Sequence, residues 1–403
     1  MKVDTMRRID RWLGVPLCFL FTPWVRLFSP RRPSHPKRAL FIELSEMGSA
    51  ILADPAMRKL RDQGVELHFV IFAKNRPSLD LLGTVPKENV FVLHEDSLMA
   101  LAADSLRFLA WCRRRRIDTV IDLELFSRFT ALLTGLSGAA IRCGFYRFHN
   151  EGLYRGQLLT HRVAYNPHQH IARNFVALVN AVLSEDEELP YSKTLIGEHE
   201  IELARAKIDE SARVKVQHAI QRLAADWTPR QPLVLINANA SDLLPQRRWD
   251  GDNYARLAAL IAQARPDCLI LFTGSPEERE GLQRIVDKSG VPNCINFAGE
   301  ISFELLPALY DQALLMVSND SGPPHFASVT RLRSFVLFGP ETPALYGPLG
   351  GRSTPIFLGL ACSPCVSAAN HRKTPCRDNA CLQGITPQQV FDTLRPCLME
   401  NDR

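Results

Sequence analysis

Short apolar runs fall into two sets along this 403-residue chain, and that grouping limits its fold more than any other feature. The first set is Arg38–Leu44 (RALFIEL), Val65–Phe72 (VELHFVIF), Val90–Leu93 and Thr119–Leu123 (TVIDL). The second is Leu233–Asn237 (LVLIN), Cys268–Thr273 (CLILFT), Leu314–Ser318 (LLMVS) and Ser334–Phe338 (SFVLF), with Asn293–Asn296 as a shorter candidate. Helical periods separate them at 50–61, 98–115, 254–264, 277–289 and 303–310. Alternation of buried strand and amphipathic helix is the pattern of a doubly wound parallel sheet, here repeated twice. The charged stretch 184–227 has a helical period and few core-forming strands. The predicted organisation is therefore a basic segment 1–38, an α/β unit 39–185, a helical linker 186–230, a second α/β unit 231–385 and a C-terminal helix 386–403. Two such units frame a cleft, and ligands bind at the carboxyl ends of parallel strands.

A net charge of +5 is unevenly placed. Residues 1–40 carry nine Lys or Arg against Asp4 and Asp10, a balance of +7 that leaves −2 for the rest. A nearly neutral body lacks the basic face that nucleic acid requires, so no nucleic-acid partner is expected. The basic arm instead suits an anionic surface. Within it lies the apolar stretch Trp12–Phe28 (WLGVPLCFLFTPWVRLF). As a helix it reaches roughly 25 Å, against roughly 30 Å for a bilayer core, and Pro16, Pro23 and Arg26 interrupt it. It reads as an interfacial anchor with Trp12, Phe19, Phe21 and Trp24 at the lipid boundary. A helix packed on the body and a signal peptide are the other readings of the same residues. The anchor reading places the protein in the cytoplasm, peripheral on the inner face of the inner membrane.

Of ten cysteines, five (Cys18, Cys112, Cys143, Cys268, Cys294) read as small core residues in a reducing compartment. Four others, Cys362, Cys365, Cys376 and Cys381, cluster near the C-terminus with His371 between them. C-x2-C with two further thiols is a zinc or iron–sulfur pattern; paired thiols are the alternative.

The segment with the most chemistry is 318–348, SNDSGPPHFASVTRLRSFVLFGPETPALYGP. A strand ends at Ser318, and Asp320, Ser321 and Gly322 make a tight turn. A helix begins at Pro323 or Pro324, where a missing N–H costs least. Amides at such a start face an anion, and His325 adds a donor one turn in. On composition alone, the turn is equally a capped strand–helix junction. Arg247 and Arg248 offer cations that can grip phosphate, or form a solvated basic pair beside Trp249.

D-S-G-x-x-H followed by an apolar strand and F-G-P-x-x-P resembles the diphosphate-sugar signature of family-9 glycosyltransferases, which include the ADP-heptose heptosyltransferases. Leu44–Met57 (LSEMGSAILADPAM) is similar to that family's first strand and turn. Asn237–Trp249 (NANASDLLPQRRW) looks like its N-x-x-A-x-x-x-x-K-R-W. TVIDL with IRCGF at 141–145 looks like its D-x-V-I-D-L and R-x-G-F. The resemblance spans roughly residues 39–395 and implies an α/β GT-B fold of two Rossmann-like domains facing a cleft, with the acceptor on the N-terminal half. It implies an inverting transfer that needs no cofactor or metal. The expected donor is a nucleotide-diphosphate sugar, ADP-heptose above all, and the acceptor a lipid-linked saccharide of the lipopolysaccharide-core type. Carried over by residue, the donor site is Asn237, Ala240, Arg247, Arg248, Gly274, Asp320, Ser321, Gly322 and His325, with Ser275 and Glu277 beside Gly274.

One departure matters. Inverting transfer needs a base for the acceptor hydroxyl. Where the family places Asp after the first-turn glycine, this chain has Ser49 after Gly48, and a serine hydroxyl is no base near neutral pH. Glu46 is the expected replacement; Asp54 and, less directly, Glu43 are the other carboxylates at hand. A catalytically impaired sugar-nucleotide-binding or assembly protein is the rival reading, and a sugar-nucleotide epimerase a third.

Overall fold

The computed structural model describes residues 3–149, 153–240, 244–368, 370 and 372–400. It divides into two units, Met1–Glu202 and Leu203–Arg403. The first holds strands β1 (Arg38–Ile42), β2 (Glu66–Phe72), β3 (Val90–Leu93), β4 (Thr119–Asp122), β5 (Ile141–Phe145) and β6 (His161–Val163), ordered β3-β2-β1-β4-β5-β6. The second holds β7 (Leu233–Asn237), β8 (Leu269–Phe272), β9 (Cys294–Asn296), β10 (Leu315–Asn319), β11 (Arg333–Phe338) and β12 (Ser353–Phe357), ordered β12-β11-β10-β7-β8-β9. All pairs are parallel. Each sheet therefore has the 3-2-1-4-5-6 order of a dinucleotide-binding fold. The chain reverses direction across the sheet between β1 and β4 and again between β7 and β10. Crevices at such reversals, beyond the carboxyl ends of the strands, are where ligands bind.

Burial on both faces explains the continuous apolar runs. Ala39, Leu40, Phe41 and Ile42 of β1 are all fully buried. Removing a Phe41-sized side chain from such a site costs about 3–5 kcal/mol. The edges are weaker: β12 is half exposed and includes Pro355, which edge strands tolerate.

Three boundaries differ from expectation. The single helix over 50–61 is two, α3 (Met47–Leu52) and α4 (Asp54–Arg61), because Pro55 starts the second one. The linker 186–230 is divided: Lys59 pairs with Glu200 at 2.6 Å in the first unit, while the helix Glu210–Leu223 packs on the helix Leu306–Gln312 of the second. The C-terminal helix Pro387–Met399 is no appendage, since Val390, Phe391, Leu394 and Leu398 join the core around β7 and β10.

The basic segment folds as α1 (Val3–Trp12) and α2 (Gly14–Leu27). Asp10 anchors it: one carboxylate oxygen accepts the Arg128 and Phe129 amides at 2.9 and 2.8 Å, capping the helix Arg128–Leu136. The other faces the Arg128 guanidinium at 3.2 Å. Cys18 and Val25 pack on Ala131 and Leu158, and Phe21 joins them, so Phe21 belongs to the docked face rather than to a lipid boundary. Gly156, at φ +70°, lets the Cys18 carbonyl approach; a Cβ there would stand 2.8 Å from it. Among the described residues, no helix is long and apolar enough to cross a membrane.

Candidate functional site

In the first unit the reversal crevice is lined by carboxylates. Glu43 closes β1, and Glu124 stands two residues beyond β4. Glu124 Oε1 accepts the Leu44 and Ser45 amides at 2.9 and 3.0 Å and the Ser45 hydroxyl at 2.7 Å. Glu43 Oε1 accepts the Glu46 amide at 3.2 Å. Two acidic side chains from neighbouring strands thus hold the turn 44–46 by its N–H groups. Burial raises the proton affinity of Glu124; hydrogen bonds from Ser45 and Leu44 oppose this, and the charge of Asp122 adds to it. Below them the buried Arg155 clamps the strand ends, paired with Asp122 and donating to the Phe145 carbonyl at 3.1 Å.

The predicted bases are placed differently from one another. Glu46 is half-buried, in extended backbone just before α3, and its side chain does not cap that helix. Ser49 lies in α3, half-buried, its carbonyl accepting the Ala53 amide. Asp54 is corrected: it is fully buried, with Thr84 Oγ1 donating at 2.5 Å and Arg58 Nε at 2.9 Å. A carboxylate sealed by two donors ties α4 to its surroundings and is not open to an acceptor hydroxyl.

In the second unit the crevice between β7 and β10 gathers most of the expected donor residues. Asp320 follows β10 and is nearly buried. Arg247 Nε stands 3.4 Å from Asp320 Oδ2, and Arg247 Nη2 donates to Glu341 Oε1 at 3.2 Å. Burial pushes the Glu341 carboxyl up to about 8 against the pull of Arg247. Asp320 is raised in the same way, again opposed by Arg247. Among the described residues, Arg247 Nε, Asp320 Oδ2 and Asn239 Nδ2 are buried without a hydrogen-bond partner. Arg247 Nε and Asp320 Oδ2 face each other at 3.4 Å without a hydrogen bond, so both keep capacity for water or an incoming polar group.

Other predicted donor residues build the crevice wall. Asn237 Nδ2 donates to the Thr273 carbonyl at 3.0 Å, tying β7 to the end of β8. Arg248 turns back onto the Ala240 carbonyl at 2.9 Å, so Arg247 is the cation presented to the crevice. Gly274 leaves room for Glu278: a Cβ would stand 2.7 Å from Glu278 Oε2, which caps the Ser275 amide, and would push that side chain aside. Ser321 precedes the helix Gly322–Ser328 without a side-chain cap, and His325 is nearly buried one turn in. Pro323 and Pro324 have no N–H, so this short helix offers few amides and most of the positive charge must come from Arg247.

The cysteine-rich segment packs on these loops. The Cys365 amide donates to the Pro340 carbonyl at 3.0 Å, and Gln246 Nε2 reaches the Cys376 carbonyl at 3.5 Å. Cys381 loses its proton less readily because of burial and of the neighbouring Cys365, Cys376 and Cys362. Cys365 contacts Thr374 Oγ1 and Cys376 contacts Asp378 Oδ1, both at 3.3 Å. Among the described residues no group of three or more His, Cys, Asp and Glu is arranged to hold a metal ion. His371 lies outside the described residues.

Residues 106–374 match the family described as glycosyltransferase family 9 (heptosyltransferase). The chain belongs to that family. A lipooligosaccharide heptosyltransferase 2 of Campylobacter jejuni is 22% identical over 208 residues, 49% of this chain and 64% of the relative. The match thus spans under two thirds of that relative's length. A family-9 glycosyltransferase structure from Veillonella parvula covers 92% of this chain and 99% of its own at TM-score 0.69 and 18% identity. The Escherichia coli ADP-heptose lipopolysaccharide heptosyltransferase II covers 90% and 98% at TM-score 0.65 and 20% identity. At these identities the two structures establish the fold, two parallel six-stranded α/β units.

Three functional candidates of this family-9 chain escaped sequence reading: Glu124, Asp122 and Glu341. Each is an acidic residue at or just past the end of an apolar strand, and that is the signal that could have found them. Glu341 has a measurable consequence. Near pH 7 it is mostly protonated, so Arg247 keeps its charge for an incoming anion. As pH rises through about 8, Glu341 ionises beside Arg247 and opposes a diphosphate. Donor Kd is expected to rise several-fold between pH 7 and 9 in titration calorimetry, and Glu341→Gln to flatten that rise.

Proposed function

We propose that the chain is an inverting, metal-independent transferase moving heptose from ADP-heptose to a saccharide acceptor of the lipopolysaccharide-core type. The observation that carries this reading is the Asp320–Arg247–Glu341 cluster at the β7/β10 crevice, where Arg247 Nε and Asp320 Oδ2 face each other as an ion pair without a hydrogen bond. The names of the relatives, heptosyltransferases of lipooligosaccharide and lipopolysaccharide, supply the sugar and the acceptor class.

Glu46 takes the proton of the acceptor hydroxyl. The freed oxygen bonds the anomeric carbon from the face opposite the diphosphate, and the bond to the diphosphate oxygen breaks. Charge then gathers on the leaving diphosphate, where Arg247 and the Ser321 and His325 donors face it. Glu43 and Glu124 act before any substrate arrives, fixing the turn that carries Glu46. A carboxylate on this turn removes the motive for the impaired-protein reading, which rested on Ser49. The acceptor is lipid-linked, and the enzyme works in the cytoplasm on the inner face of the inner membrane.

The test is transfer of heptose from ADP-heptose to a lipopolysaccharide-core acceptor by the purified chain, with the anomeric configuration read by NMR. Transfer with inversion in the presence of a chelator is expected. Donor binding without transfer would revive the rival reading, and retention would remove the single-displacement step.

A structural zinc or iron–sulfur cluster on Cys362, Cys365, Cys376 and Cys381 is also proposed. Its support is four cysteines in one short segment, three of them close enough to add to the effect of burial in holding the proton on the fourth, Cys381. Binding requires the segment to close around the ion. Elemental analysis of protein purified without chelator is expected to give stoichiometric metal, lost in Cys362→Ser/Cys365→Ser along with several-fold donor affinity. Absence of metal would sink this part and leave the transfer reading intact.

A further inference from the structure

The docked α2 has a second face. At 3.6 residues per turn, Gly14, Cys18, Phe21 and Val25 share the side packed on the first unit. The opposite side carries Pro16, Phe19, Leu20, Pro23, Trp24 and Leu27. Leu20, Trp24 and Leu27 are 63%, 59% and 77% exposed, and Trp12 beside them 75%. A contiguous run of large apolar side chains open to water is unusual in a monomer and marks an interaction surface. Docking to the unit cannot account for it, because docking uses the other face. The same segment carries exposed basic residues: Arg8 and Arg11 on α1, Arg26 on α2, and Arg31 just after it. Of the two acidic residues in 1–40, Asp10 is spent on Arg128 and the helix it caps.

We infer that the outward face of α2, with the arginines of the same segment, is a docking surface for an anionic lipid bilayer. Charge decides the occupant. An apolar protein groove or a second copy would bury the helix face but would leave the segment's net positive charge without a counter-charge. A bilayer of anionic lipids satisfies both at once: Trp12, Leu20, Trp24 and Leu27 enter the headgroup–acyl boundary and the guanidiniums meet headgroup phosphates. Asp10, Cys18 and Val25 fix α2 to the first unit, so this is a rigid face of the unit and not a tether. The inference deepens the lipid-linked acceptor proposed above, yet its test needs no transfer activity.

The test is flotation of the full chain with vesicles of phosphatidylethanolamine and phosphatidylglycerol, beside vesicles of phosphatidylcholine alone. Wild type is expected to float with the anionic vesicles, weakly with the neutral ones, and to be released by high salt. Leu20→Glu/Trp24→Glu should lower partitioning at least tenfold with little change in thermal stability, because both side chains are mostly exposed. Arg8→Gln/Arg11→Gln should lower it by about fivefold for each arginine lost. Leu195→Glu, at a fully exposed leucine elsewhere on the unit, should change nothing. No flotation, or flotation of Leu20→Glu/Trp24→Glu equal to wild type, overturns the inference. Equal binding to both vesicle types overturns the assignment to an anionic surface. A wild-type dimer that the double variant dissolves, without vesicle binding, assigns the face to a second copy instead. Failure of transfer with flotation intact sinks only the proposed reaction.

Discussion

Glu46→Gln is expected to lower the transfer rate by about 10²–10⁴-fold, the usual contribution of a positioned general base, while donor Kd stays within twofold. The amide keeps the size and hydrogen-bonding capacity of the side chain but cannot take a proton. The donor crevice lies in the other unit, between β7 and β10, so donor binding should not respond. Single-turnover transfer beside calorimetric donor binding separates the two effects. Glu124→Gln makes the informative comparison. Its Oε1 holds the Leu44 and Ser45 amides, so loss there should act through the geometry of the turn. A smaller fall in rate, an unchanged acidic limb of the pH profile and rescue by Glu124→Asp mark a positioning residue. Should Glu46→Gln transfer at the wild-type rate while Glu124→Gln is strongly slowed and loses the acidic limb in its residual rate, the base belongs on the β4 loop. A wild type that transfers nothing until Ser49→Asp is introduced would place the lost function at the helix position itself.

The strands of both sheets were legible where they form apolar runs of four or more residues. Val90–Leu93 and Leu233–Asn237 fall where the apolar runs predict, and β1, β4, β8 and β10 differ only at their ends. Legibility fails where a strand is too short or too mixed to show an apolar run. β6 has three residues, and β12 is a half-exposed edge with a proline, so neither shows an apolar run. β5 was visible as the motif IRCGF but not as a strand, since its buried Arg142 breaks the apolar pattern; that arginine donates to the Leu158 and Ala139 carbonyls. The donor-side residues were found through the D-S-G-x-x-H and F-G-P segments, because a turn that must meet phosphate has strict residue needs. Glu341 lay inside a quoted segment and passed unnoticed, as its role depends on Arg247, 94 positions away. Asp54 was misread for the same reason. Its burial is decided by Thr84 and by the break between α3 and α4, and neither shows in the local sequence.

Arg247→Met is expected to abolish measurable donor binding, a loss of at least 100-fold, and to lower the stability of the second unit. Its guanidinium faces both Asp320 and Glu341, Arg372 reaching only Glu341 at 3.6 Å, and both carboxyls are nearly buried. Removing one partner of a buried ion pair costs about 3–5 kcal/mol, because the group left behind is charged and poorly solvated. Here part of that cost is avoidable. Glu341 already holds its proton up to about pH 8, and Asp320, raised by burial, can be driven to accept one. Each carboxyl that must be protonated in the folded variant makes folding dearer as pH rises, so the destabilisation should be small near pH 5 and approach the full figure above pH 8. Thermal unfolding across that range checks the sign, and a loss that shrinks with rising pH would contradict it. The triple variant Arg247→Met/Asp320→Asn/Glu341→Gln then separates stability from function. With no charge left to strand, it should recover most of the lost stability. It should still fail to bind ADP-heptose, since nothing replaces the cation that meets the diphosphate. Recovery of binding in the triple variant would mean that Arg247 only neutralises its two neighbours, and that the helix start at Ser321–His325 holds the donor unaided.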